Sequence, residues 1–466
     1  MKHITFLTFV FSFVFLISAS AQEKFDGLWG GFINVKGLDL EVNFEVQTQE
    51  NRVLLSVPLQ KIIDQPGTGL VISGDTITFD YSRFNASYKG VFNNESQEIR
   101  GVWTQGLSAE LNLKRVSKKG KINRTQIVKS PYPYKHENFK FPNEEAGIDL
   151  GGTLTIPNGE GPFPLAILIS GSGPQDRNCE ILDHKPFLVI ADHLTRNGIA
   201  VLRYDDRGVQ SSGGNFKNST TADFTTDAAA AIKFAEMHEK IDTNKIGLIG
   251  HSEGGMIAPK VAADYNNVDF IVSLAGPAIP IAEMMTLQNQ MIFKTLGMSE
   301  EGTKIAGENL PIIYSIVNQD KEPKELFDTL IDQVKYFYNA LNEQDRQILG
   351  PTSSVYYTVL SKSIFTPWFR YFLAYDPEPS WQKVKCPVLA LNGSEDIQIS
   401  AKENLAAIKK NLEIAENKNH TEIELEGYNH LMQKCEVCSV MEYGLIETTF
   451  EPEALDLITE FILGLE

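Results

Sequence analysis

The chain has 466 residues, 42% of them hydrophobic and 22% charged, with a formal charge of −18. That length allows about two or three domains, at least one of them with a large core. The acidic balance argues against a nucleic-acid partner and against an anionic membrane surface, both of which need basic patches.

Residues 1–21 read as an export signal outside the fold. Lys2 supplies the positive start, Phe6 to Ile17 the apolar core and Ala19-Ser20-Ala21 the cleavage site. The apolar run is short for a membrane-spanning helix, and no cysteine follows the cleavage site to take a lipid. The mature chain is therefore expected to be periplasmic or secreted, without stable membrane insertion.

From residue 22 to 116 short alternating runs such as Leu40-Glu41-Val42-Asn43-Phe44 are broken by turn pairs, Gly74-Asp75 and Asn93-Asn94. The pattern predicts an N-terminal all-β domain, an antiparallel meander of about seven or eight strands that closes toward a small barrel. Trp29 and Trp103 read more simply as core than as a ligand platform, because aromatics dominate small β cores. Residues 117–133 are polar and basic and end in a Pro-rich step, which is linker composition.

After residue 133 strands and helices begin to alternate. Ile148–Ile156, Leu165–Ser170, Ile199–Tyr204, Lys245–Gly250 and Phe270–Ala275 read as strands, with helices over Lys185–Asn197 and Thr220–Lys240. Continuous apolar strands with helical crossovers predict a doubly wound, mostly parallel α/β sheet. It occupies 134–277 and 382–466, interrupted by a helical cap over 278–381, including helices at Glu283–Leu296, Lys324–Leu341 and Ser354–Leu373. Trp368 and Tyr371, in the aromatic end of that insertion, are candidates for a substrate pocket and equally for packing on the sheet. A last strand (Glu422–Leu425) and a helix (Pro452–Gly464) close the chain.

The chemistry centres on Gly250-His251-Ser252-Glu253-Gly254, a G-x-S-x-G run between an apolar strand and a helix. A serine hydroxyl needs a base, and the base an orienting carboxylate, which in doubly wound hydrolases follow in the order serine, acid, histidine. Asp396 follows the strand at 388–391 with Gly-x-x-Asp spacing, and His430 follows the strand at 422–425. Ser252, Asp396 and His430 are the expected catalytic residues. The backbone amides of Glu253 and Ser172 are the expected oxyanion donors. Asp176, Arg177 and His184 lie near the same strand ends; for the first two, ion pairs bracing the loops are the commoner explanation.

Four cysteines are too few for a disulfide scaffold in a chain of this length. Cys435-x-x-Cys438 leaves a zinc half-site, a redox pair and a local disulfide open. A second CxxC and a nearby histidine pair are both missing, so no metal is expected.

The motifs SGSGPQDRN, HKPF, VLRYDDRGVQSSGG, GLIGHSEGG, NGSEDIQIS and GYNHL, in this order, resemble exported bacterial serine esterases of the α/β-hydrolase fold with an N-terminal β domain and a helical cap. Gly27-x-Trp29-x-Gly31 and Gly101-x-Trp103-Thr104-Gln105 extend the likeness into the β segment. The resemblance implies hydrolysis of small carboxylic esters with short acyl chains and no cofactor. It departs at Ser170, where many hydrolases carry histidine, and at Gln210-Ser211, where glycine usually follows. The alternatives are a serine peptidase or amidase of the same fold, and a non-catalytic polysaccharide-binding protein. Oligomeric state is not legible.

Overall fold

The computed structural model describes residues 23–35, 37–265, 267–350 and 364–465. The export signal read at 1–21 and the first part of the helix expected at Ser354–Leu373 lie outside the described residues. The chain divides into two units, the boundary falling between Asn123 and Arg124.

The first unit is one antiparallel sheet of nine strands: β1 (Gly27–Val35), β2 (Leu38–Gln47), β3 (Arg52–Val57), β4 (Ile62–Pro66), β5 (Thr68–Ser73), β6 (Thr76–Tyr81), β7 (Ala86–Asn93), β8 (Glu98–Gln105) and β9 (Leu107–Arg115). Their order is β4-β3-β2-β1-β9-β8-β7-β6-β5, so β4 and β5, adjacent in sequence, end up at opposite edges. The Gly67 amide, between β4 and β5, donates to the Val53 carbonyl of β3 at 2.8 Å and carries the β3–β4 pairing to the start of β5. The concave face carries the core. Trp29 and Phe44 are fully buried, Trp103 nearly so, and Phe44 packs against Phe79, Tyr88 and Trp103. Both tryptophans are core residues.

The second unit holds β10 (Lys135–Asn143), β11 (Ile148–Ile156), β12 (Phe163–Ile169), β13 (Ala200–Tyr204), β14 (Ile241–His251), β15 (Phe270–Leu274), β16 (Val388–Gly393) and β17 (His420–Leu425). The order is β10-β11-β13-β12-β14-β15-β16-β17, parallel from β13 to β17 after two antiparallel pairings. Strand β12 explains why the run is apolar throughout: Leu165, Ile167 and Ile169 face one helical layer, while Ala166 and Leu168 face the other. Those layers include α1 (Pro186–Arg196), α2 (Thr221–Glu236) and α3 (Glu253–Tyr265). This strand order, with a mixed start and a parallel remainder, is the α/β-hydrolase fold.

Between β15 and β16 runs a helical insertion: α4 (Ile281–Thr295), α5 (Glu300–Val317), α6 (Pro323–Ala340), α7 (Glu343–Leu349), α8 (Pro367–Ala374) and α9 (Glu378–Trp381). It has an apolar core of its own around Leu310, Val317, Leu330 and Phe337. Asp345 ties α7 to the start of α5 by accepting from the Ser299 amide and hydroxyl at 2.8 and 2.6 Å. The sheet then resumes, with α10 (Ala401–Ile414) and α11 (Pro452–Leu463) packing on it. Among the described residues no helix is long and apolar enough to cross a membrane.

Candidate active site

Strand β14 ends at His251 and α3 starts at Glu253, leaving Ser252 alone on the turn with φ +54°. That left-handed backbone costs a non-glycine residue roughly 1 kcal/mol. It is held by the Ser252 amide on the Leu274 carbonyl at 2.9 Å and the Gly255 amide on the Ser252 carbonyl at 2.8 Å. The flanking glycines are dictated by space. A Cβ on Gly250 would lie 2.0 Å from the Gly254 carbonyl oxygen, and one on Gly254 would lie 2.3 Å from that of Ile169.

The loop after β16 presents Asp396 and the loop after β17 presents His430, both buried. His430 Nδ1 donates to Asp396 Oδ2 at 2.8 Å. Asp396 Oδ1 accepts from the Gln398 and Ile399 amides at 2.8 and 2.9 Å, which fixes the carboxylate and leaves its second oxygen for the imidazole. Gly393 lets the two loops close: its Cβ would sit 2.1 Å from the Tyr428 carbonyl oxygen. With Nδ1 engaged, Nε2 of His430 is the nitrogen left for chemistry. Ser252 and His430 line one cavity of about 330 Å³.

Gly171 and Ser172, from the loop after β12, line the same cavity. A side chain at 171 would press on Ser252, because its Cβ would stand 3.0 Å from that of the serine. Ser170, at the departure from the usual histidine, donates its hydroxyl to Asp206 at 2.6 Å, and the Gln175 amide donates to the other Asp206 oxygen at 2.8 Å. Asp206 thus clamps both ends of the loop. Burial is the main cause that pushes its carboxyl up to about 7.

Glu253 contributes its amide to the start of α3 and turns its carboxylate inward. There it accepts from the Thr221 hydroxyl at 2.6 Å and from the Trp368 indole at 3.0 Å. Burial raises its pKa against these bonds. The insertion helix α8 is thereby pinned, through Trp368, to the residue that follows Ser252.

Trp368 lines the cavity; four other candidates do not, and each has a physical reason. Asp176 accepts from the Asn178 and Glu180 amides in its own turn. Arg177 is spent on Asp205, with Nε to Oδ1 at 3.0 Å, and also reaches Thr153. His184 is buried as a strut, its Nδ1 2.9 Å from the Thr449 hydroxyl and its Nε2 2.9 Å from the Tyr443 carbonyl. Tyr371 stacks on Tyr375, away from the cavity lining.

Phe369 and Phe372, from the aromatic end of the insertion that the sequence marks as a pocket candidate, line the cavity beside Trp368. Met284, Met285, Gln288 and Tyr443 also line it and were not anticipated. The helical period of the insertion offers a faint signal for the first three; Tyr443, in a loop, offers none. His251, the residue before the serine, also lines the cavity and packs on His430. Cys435 and Cys438 are joined in a disulfide, and Glu442 accepts from the backbone amides of residues 436, 437 and 438.

A family described as serine aminopeptidase, S33 matches residues 185–333, which include the serine turn and part of the insertion. Esterase EstD of Thermotoga maritima is 27% identical over 329 residues, 70% of this chain and 69% of its own length. The chain is a serine hydrolase. An uncharacterised 31.7 kDa protein of Escherichia coli is 29% identical over 262 residues, 55% of this chain and 81% of its own. Among solved structures, an esterase of Pyrococcus furiosus aligns with a TM-score of 0.44 at 16% identity, over 74% of this chain and 97% of that one. Est1E of Butyrivibrio proteoclasticus aligns at 0.39 and 19%, over 70% and 96%.

Proposed function

We propose that this hydrolase is an exported carboxylesterase that cleaves short-chain acyl esters through an acyl-enzyme on Ser252. The observation that carries the reading is the buried Asp396–His430 pair on the cavity that also holds the left-handed Ser252. His430 Nε2 takes the Ser252 proton as Oγ attacks the ester carbonyl, and Asp396 steadies the imidazolium that forms. The Glu253 and Ser172 amides receive the oxyanion; one such donor is worth about 3 kcal/mol in the transition state. His430 then protonates the departing alcohol, and the same nitrogen activates water to release the acid.

The helical insertion acts as a cap. Met284, Trp368, Phe369 and Phe372 give the cavity an apolar roof suited to the carbon skeleton of an ester. Export is supported by the composition of residues 1–21 and by the Cys435–Cys438 disulfide, a bond that persists in oxidising compartments.

The test is hydrolysis of para-nitrophenyl acetate and butyrate by wild type and Ser252→Ala. Turnover by wild type and its loss in the variant are expected; equal rates would remove Ser252 from the mechanism. A peptidase or amidase reading is favoured by the description of the matching family. Aminoacyl anilides cleaved at rates comparable to the esters would establish it.

A further inference from the structure

The helical insertion lines a second cavity, of about 420 Å³, among α4, α5 and α6. Its wall is apolar, built from Phe293, Leu310, Ile313, Val317, Leu330 and Phe337. The polar groups near it are engaged: Asn289 Nδ2 donates to the Tyr314 hydroxyl at 3.0 Å and to the Met285 carbonyl at 2.7 Å. Protein interiors are close-packed, so an apolar cavity of this size is a place for an apolar guest.

Its position indicates the guest. Met285 and Phe369 line this cavity and the one holding Ser252 and His430, so two side chains form a shared wall between them. Met285 has an unbranched, adaptable side chain, and its displacement would join the two spaces. We propose that the cavity in the insertion is a second substrate subsite, receiving the apolar chain of an ester whose carbonyl lies at Ser252. This rests on the esterase reading and extends it: short esters fit within the first cavity, and medium-length hydrocarbon chains reach past Met285 into the second. The chain belongs to the acyl or to the alcohol half, and the chemistry that binds it is the same.

The experiment compares wild type with Val317→Phe, a substitution remote from the serine cavity that fills the second one. Two substrate series are run, para-nitrophenyl esters from acetyl to decanoyl and alkyl acetates from ethyl to decyl. The variant is expected to lose about tenfold in kcat/KM on the longest chains of one series, what losing the burial of about two methylenes amounts to. Acetyl and ethyl substrates should be little changed. Loss in the acyl series assigns the acyl half, and loss in the alkyl series the alcohol half. No length-dependent loss in either series overturns the subsite while leaving the esterase intact.

A binding measurement keeps the test independent of turnover and of one variant's folding. Decanoate and decanol are added to Ser252→Ala and to the same protein carrying Val317→Phe or Leu330→Phe. One ligand should raise Tm in the first protein and not in the filled ones. Equal shifts in all, or none in any, overturn the subsite, whereas wild type inert toward every ester overturns the esterase reading.

Discussion

His251 Nε2 lies 2.9 Å from the backbone carbonyl oxygen of His430, and the two rings face each other at 4.8 Å between centroids. The carbonyl only accepts, so His251 Nε2 carries the proton and donates. Burial and the neighbouring His430 push the His251 pKa down to about 4 and keep it neutral. The residue before the serine thus braces the loop of the base from behind. His251→Ala is expected to lower kcat by about tenfold to a hundredfold, the cost of one lost bond plus a loosened general base. KM for a short ester should stay nearly constant. His251→Gln, which keeps a donor, should recover part of the loss, and equal kcat values for alanine and glutamine would deny the bracing role.

The two glycines of the serine turn should be irreplaceable for reasons of space. Gly250→Ala drives a Cβ to 2.0 Å from a backbone oxygen, so a loss of stability above about 3 kcal/mol is expected. Gly74 provides the control, because its φ of +62° imposes strain but its Cβ would meet nothing within 4 Å. Gly74→Ala should cost about 1 kcal/mol. Urea unfolding of both variants checks the contrast; similar midpoints would mean that the turn relaxes.

Glu253 and Trp368 link the insertion to the turn. A double-mutant cycle of Glu253→Gln and Trp368→Phe should give a coupling of about 1–2 kcal/mol in stability, typical of a charge-assisted hydrogen bond. Additive effects would show that the indole and carboxylate act independently.

Acid sensitivity should arise in part at His184. Burial and the charge of Arg124 press its pKa down to about 4 from the usual 6.5. A histidine depressed in the folded state contributes stability that is complete above the unfolded pKa and is lost as pH falls through the folded one. Between pH 6.5 and 4 wild type should lose on the order of 3 kcal/mol more than His184→Gln, which cannot titrate. Asp206, raised to about 7, works in the opposite sense, losing stability as pH rises toward 7, and it cancels in the comparison. Parallel stability curves for the two proteins would place the titration elsewhere.

The fold was legible wherever a side chain's neighbours are set by local pattern. The apolar runs at Leu165–Ile169 and Ile246–Ile249 declare strands buried on both faces, and the loops after Val388–Gly393 and His420–Leu425 follow from chain order. Partners brought together by tertiary closure were less legible. Arg177 meets Asp205 across 28 residues and His184 meets Thr449 across 265, distances over which no period carries information. Gln210 shows another limit: it adopts φ +44°, a left-handed state that favours glycine, at the position where the chain departs from the esterases it resembles. The ninth strand of the first unit was hidden for a similar reason. Ile62–Pro66 is a short edge strand that alternates poorly and ends at the Gly67 bend.

The most direct test of Ser252 as nucleophile is intact-mass measurement after treatment with a fluorophosphonate, alongside ester hydrolysis. A single covalent adduct, located on Ser252, is expected to form in step with loss of turnover and to be absent from Ser252→Ala. An adduct on another residue, or full hydrolysis by the labelled protein, would contradict it.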